Sequence, residues 1–138
     1  MACTASPTDT APVATRVAFI ADSHVIGPQY ECCSESEGLD NDSIMKTPDR
    51  LAATVARINA VSPPPERVFV LGDVVHDSTY SSELDWYTAE ENGFSRAADL
   101  LGGLDMPVHP VWGNHDYAGS CTEGQGYERS FSEQIFEA

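Results

Sequence analysis

Short unbroken apolar runs alternate along the chain with longer stretches of helical periodicity. Arg16-Val-Ala-Phe-Ile-Ala21 is apolar up to Asp22 and reads as a buried strand. Residues 25–47 are polar and acidic, with Gly27-Pro28 and Gly38 as breakers, and read as an irregular insertion. A helix then opens at Thr47-Pro48-Asp49, with Thr47 as N-cap, Pro48 at the first helical position and Asp49 in the first turn. Leu51, Val55, Ile58 and Val61 form its apolar stripe, and Ser62-Pro63-Pro64-Pro65 stops it. Arg67-Val-Phe-Val-Leu71 is the second strand, ending at Gly72-Asp73. One helix is expected over Ser82 to Leu101, with Leu84, Tyr87, Phe94, Ala97 and Leu101 inward and Gly102-Gly103 ending it. Met106 to Trp112 is the third strand, and Pro107 and Pro110 demote it towards a sheet edge or a short strand. A last helix is expected over about residues 124 to 137.

The order β-α-β-α-β-α implies right-handed crossovers and a parallel sheet. The 138 residues suit one domain, read as a tail over 1–15 and the domain over 16–138. The polar residues fall in a telling place. Asp22, Asp73 and Asn114 each follow the C-terminal end of a strand, the edge at which open parallel sheets bind ligands.

Charge sharpens this reading. Lys+Arg total 7 against 22 Asp+Glu, a net charge of −15. Such a surface repels phosphate backbones, which argues against general nucleic-acid binding. Any anion site must then draw positive charge from elsewhere, and bound metal ions are the obvious supply. No apolar run is long enough to span a membrane.

Asp22-Ser23-His24 puts a carboxylate and an imidazole two residues apart. In an extended segment both point the same way and reach one metal, a donor pair that suits Zn, Fe or Mn better than Ca. Alone, the motif could equally be a solvated loop. Gly72-Asp73 delivers a carboxylate after a tight turn, although a plain turn or helix cap would look the same. Gly113-Asn114-His115-Asp116 is more specific: Asn114 offers a carbonyl oxygen, His115 an imidazole beside the metals, and Asp116 a carboxylate that could orient that imidazole. The bland alternative is a turn with an incidental histidine.

With the three motifs in order, each after its own strand, the chain resembles the calcineurin-like metallophosphoesterase superfamily, whose blocks read D-x-H, G-D and G-N-H-[DE], followed by G-H and G-H-x-H. The resemblance covers roughly residues 16–116. It implies an α/β fold, here the β-α-β-α-β-α half of a four-layer αββα sandwich. It further implies that Asp22 and His24 hold a first metal, that Asp73 bridges two, and that Asn114 binds the second. His115 would stabilise the transition state or protonate the leaving oxygen, with Asp116 beside it. The implied cofactors are two divalent ions (Mn, Fe or Zn), and the implied substrate is a small phosphoester.

The later blocks are absent. The histidines are His24, His76, His109 and His115, and none follows Asp116. At most one weakly held metal site is therefore expected in this chain. The chain reads as a truncated piece whose missing C-terminal half, or a complementing chain, would cover an exposed apolar sheet face. An inactive metal-binding piece or a non-enzymatic scaffold is the alternative to an active hydrolase. His76 lies near the ligand-bearing edge but is not assigned to the site, and His109 reads as structural. Purple acid phosphatases carry a Tyr three residues after the bridging Asp, where this chain has His76, which argues against that branch.

Compartment is not set by the cysteines, Cys3, Cys32, Cys33 and Cys121, which form no C-x-x-C. The N-terminus as written lacks a basic and an apolar signal region, so a cytoplasmic location is the default expectation. The alternative is an exported lipoprotein lipidated at Cys3.

Overall fold

The computed structural model describes residues 15–30, 39–76 and 84–117. The elements are β1 (Val17–Ile20), α1 (Leu39–Ile44), α2 (Thr47–Asn59), β2 (Arg67–Leu71), α3 (Leu84–Ala89), α4 (Gly93–Leu101), β3 (Val108–Val111) and α5 (Asn114–Tyr117). The strands form one parallel sheet in the order β1-β2-β3. Val17 pairs with Arg67 and Ile20 with Val70, while Val68 pairs with Val108 and Leu71 with Val111. All three strands therefore end at one edge. The two prolines do hold β3 short and at the side of the sheet.

Alternation across the pleat gives the sheet two unlike faces. Ile20, Val68 and Val70 are buried against Leu51 and Val55 of α2 and Ala97 and Leu101 of α4. The opposite face is open. Phe19 is 62% exposed, and Val17, Leu71 and Val111 are exposed with it. Phe19, Phe69 and His109 form a stacked row across this face, with ring centroids 5.7 and 5.3 Å apart. The first strand is thus buried on one face only, as the expected uncovered sheet face requires.

Four local expectations change. The segment 25–47 is not wholly irregular: Val25 forms a parallel bridge to Val75, Val25 and Ile26 are buried, and α1 occupies its end. Thr47 lies inside α2 and does not cap it; its hydroxyl donates to the Ile44 carbonyl at 2.8 Å, satisfying an orphan acceptor of α1. Of the predicted α2 stripe, Leu51 and Val55 are buried but Val61, past the helix end, is exposed.

The single helix expected over 82–101 is two. Asn92, fully buried and extended at φ −146°, breaks it with a capping box: its side chain accepts from Ser95 N at 3.0 Å, and Ser95 Oγ accepts from Asn92 N at 2.9 Å. Asn92 Nδ2 also donates to the carbonyls of Tyr87 and Glu90, tying off the end of α3. No helix among the described residues is long and apolar enough to cross a membrane. The expected helix over 124–137, residues 1–14 of the tail expected over 1–15, and all four cysteines lie outside the described residues.

Candidate metal centre

The loops after β1 and β2 continue the parallel pairing past the strand ends. Asp22 N donates to Gly72 O at 3.3 Å, His24 N to Asp73 O at 2.9 Å and Val25 N to Val74 O at 2.8 Å. The backbone there is not extended. Asp22, His24 and Asp73 adopt φ of 52°, 45° and 48°, the left-handed region that non-glycine residues rarely enter. The i, i+2 geometry expected for Asp22 and His24 is therefore replaced by two left-handed turns. Both residues still reach one place. One ligand atom each from Asp22, His24 and Asp73 lies within 4.8 Å of the others. Among the described residues, the three non-glycine positions with positive φ are these three. Such conformations cost on the order of 1–3 kcal/mol each and persist where the surroundings over-determine them.

Two glycines let the third loop approach. Gly72 has φ +92°, and a Cβ on it would come within 2.7 Å of Gly113 N and Cα. A Cβ on Gly113 would overlap Asp73 Oδ1 and Asp73 N. The backbones of 72–73 and 113 thus touch, and His115 N donates to Asp73 Oδ1 at 2.9 Å. Asn114 begins α5 and is exposed.

Asp116 does not take the role expected of it. Fully buried, it accepts from Val75 N at 3.0 Å through Oδ1 and from Gly113 N at 2.8 Å through Oδ2. It clamps the second loop to the third. Burial pushes its carboxyl above the ordinary range; the amides of Val75, Gly113 and Val74 oppose the rise, and the negative charge of Asp73 adds to it. The His115 imidazole is held instead through Nδ1 by the carbonyl of His76, at 2.9 Å.

His76, left outside the site by sequence reasoning, lies within it. Its ring stacks on His115 at 5.3 Å and meets His24 edge-on at 5.3 Å, with His24 and His115 at 4.7 Å. The available signal was its position three residues past Asp73, on the ligand-bearing edge. His109 lies on the open face against Phe69, away from this cluster.

The donor set fits a divalent transition metal. It mixes carboxylate oxygen with imidazole nitrogen, and three donors converge within 4.8 Å.

The family model for calcineurin-like phosphoesterases matches residues 15–137, which include every described element. A protein of Rhodopseudomonas palustris (strain ATCC BAA-98 / CGA009), described as a probable cyclic nucleotide phosphodiesterase, is 33% identical over 98 residues, 65% of this chain and 31% of that protein. The chain thus spans about a third of the length of the relative it matches. A match over nearly the whole sequence, on a sheet whose three strand ends carry D-x-H, G-D and G-N-H-D, shows that the chain belongs to the calcineurin-like phosphoesterase family.

Proposed function

We propose that the protein works as a metal-dependent phosphoester hydrolase, with a phosphodiester as the substrate class to test first. The observation that carries this is the convergence of Asp22, His24 and Asp73 within 4.8 Å at the C-terminal edge of the sheet. Asp22, His24 and Asp73 would hold one divalent ion, and Asp73 would be shared with a second that Asn114 joins. When bound, ions at such a site supply Lewis acidity and neutralise phosphoryl charge, which a chain of net charge −15 otherwise lacks. His115 serves as proton donor to the leaving oxygen. Its Nδ1–H is committed to the His76 carbonyl, so the proton it gives travels on Nε2. Asp116 is a positioning residue, holding Val75 and Gly113 so that Asp73 and His115 face one another. The preference for a diester follows from the name of the Rhodopseudomonas palustris relative.

The test is turnover of an aryl phosphodiester, an aryl phosphomonoester and a cyclic nucleotide by the full-length protein with Mn, Fe or Zn. Diester hydrolysis abolished by a chelator is the expected result. Absence of turnover with every ion rules the reading out. A second reading is favoured by the ligand count: the 138-residue chain holds one ion at most and does not turn over by itself. Equilibrium dialysis against Mn decides it, because two tightly held ions per chain would exclude it.

A further inference from the structure

A second cluster overlaps the carboxylate group. The imidazoles of His24, His76 and His115, all half-buried, offer ligand nitrogens within 4.8 Å of one another. They come from three separate segments, the loops after β1 and β2 and the start of α5, so the topology and no single motif assembles them.

Two distances give the cluster chemical content. His24 Nδ1 and His76 Nδ1 are 3.3 Å apart. Zinc binds imidazole nitrogen at about 2.0–2.1 Å, and tetrahedral geometry then sets two ligand nitrogens about 3.3–3.4 Å apart. The same separation also suits an N–H···N hydrogen bond between the two rings, so the metal reading stands on the convergence of all three imidazoles. The second distance is the 2.9 Å between His115 Nδ1 and the His76 carbonyl. A carbonyl only accepts, so Nδ1 carries the proton and Nε2 of the neutral ring keeps its lone pair. A ring N–H given to a backbone carbonyl is the arrangement that orients metal-binding histidines. His76 would thus serve twice, its ring as a ligand and its carbonyl as the orienting group for another.

We propose that His24, His76 and His115 form a three-imidazole zinc site. Three neutral nitrogen donors select zinc over magnesium, calcium or manganese. They leave a fourth position open to water or an anion. The inference does not rest on phosphoester hydrolysis. His115 cannot hold zinc through Nε2 and protonate a leaving oxygen at once, so this ion defines a different state of the site from the hydrolytic one. Either reading can stand when the other falls.

The test uses the whole 138-residue chain, titrated with zinc against a chromophoric chelator and separately with cobalt(II) as a spectroscopic stand-in. One ion per chain is expected, with the intense visible absorption of tetrahedral cobalt. His76→Ala should weaken binding by at least about tenfold and abolish the band. His109→Ala, on the open face of the sheet, should change neither. Zinc affinity unaltered in His76→Ala overturns the proposal, because the ion would then sit on Asp22, His24 and Asp73 without His76. Imidazole nitrogen resonances of the unsubstituted chain give a reading that needs no variant. Those of His24, His76 and His115 should shift with zinc while His109 stays, and a stationary His76 resonance overturns the assignment.

Discussion

The carboxylate of Asp73 accepts the backbone N–H of His115 at 2.9 Å, across 42 positions of sequence. This bond joins the loop after β2 to the loop after β3, and the absence of a side chain at Gly113 is what leaves room for it. Gly113→Ala is therefore a substitution against Asp73. The new methyl would overlap Oδ1 and the backbone nitrogen of Asp73, so the loops must part. A loss of about 3 kcal/mol is expected, at the upper end of ordinary overpacking. Urea unfolding of the chain measures it, and the His115 amide should lose hydrogen-exchange protection in the same variant.

Asp116 makes the parallel clamp from below. Removing its carboxylate leaves the buried amide of Val75 and the half-buried amide of Gly113 without this acceptor. Asp116→Ala should cost about 2–4 kcal/mol in denaturant unfolding, since each stranded donor carries its own desolvation penalty. Asp116→Asn keeps one acceptor oxygen and should lose roughly half as much.

His115 is expected to matter in proportion to how poor the leaving group is. In the full-length protein, His115→Ala should lower turnover of an alkyl phosphodiester by about 10²–10⁴, the range of general acid catalysis. A nitrophenyl ester, whose oxygen leaves without a proton, should lose far less. Rates measured across a series of leaving groups check this, and a uniform loss would assign His115 to positioning instead.

The open sheet face gives a prediction about the chain by itself. Phe19, Phe69 and His109 stack in a row that nothing among the described residues covers, and Phe19 is 62% exposed. The chain should bind a hydrophobic dye such as anilinonaphthalene sulfonate and self-associate as concentration rises. Phe19→Glu should reduce both. Its cost in stability should stay below about 1.5 kcal/mol, the value of one aromatic pair.

Much of this was legible in the residues. Strand ends at Asp22, Asp73 and Asn114 follow from apolar runs that stop at a polar residue, and the parallel order follows from intervening helical stretches. The break at Asn92 was also written in the sequence, as Asn followed three positions later by Ser, but the apolar residues on either side read as one continuous stripe. The left-handed turns at Asp22, His24 and Asp73 left only a weak local trace: Asp and His enter that region more readily than other non-glycine residues, but the backbone there is fixed by pairing between distant loops. His76 was hidden for a similar reason: its neighbours His24 and His115 lie 52 and 39 positions away. Asp116 looked like the partner of its neighbour His115, and only the fold shows that two backbone amides claim it first.

In the proposed hydrolysis, Asp73, carried to the sheet edge by β2, holds the ions on which turnover depends. The most direct test is kcat/KM for an aryl phosphodiester by the full-length protein with Mn, compared with Asp73→Asn under saturating metal. Asparagine keeps the size of the side chain and an oxygen for the His115 amide while removing the charge that binds the ions. A loss of at least about 10³ is expected, consistent with several kcal/mol of metal-dependent stabilisation of the transition state. An Asp73→Asn protein as active as the parent, with the same metal content, would contradict it.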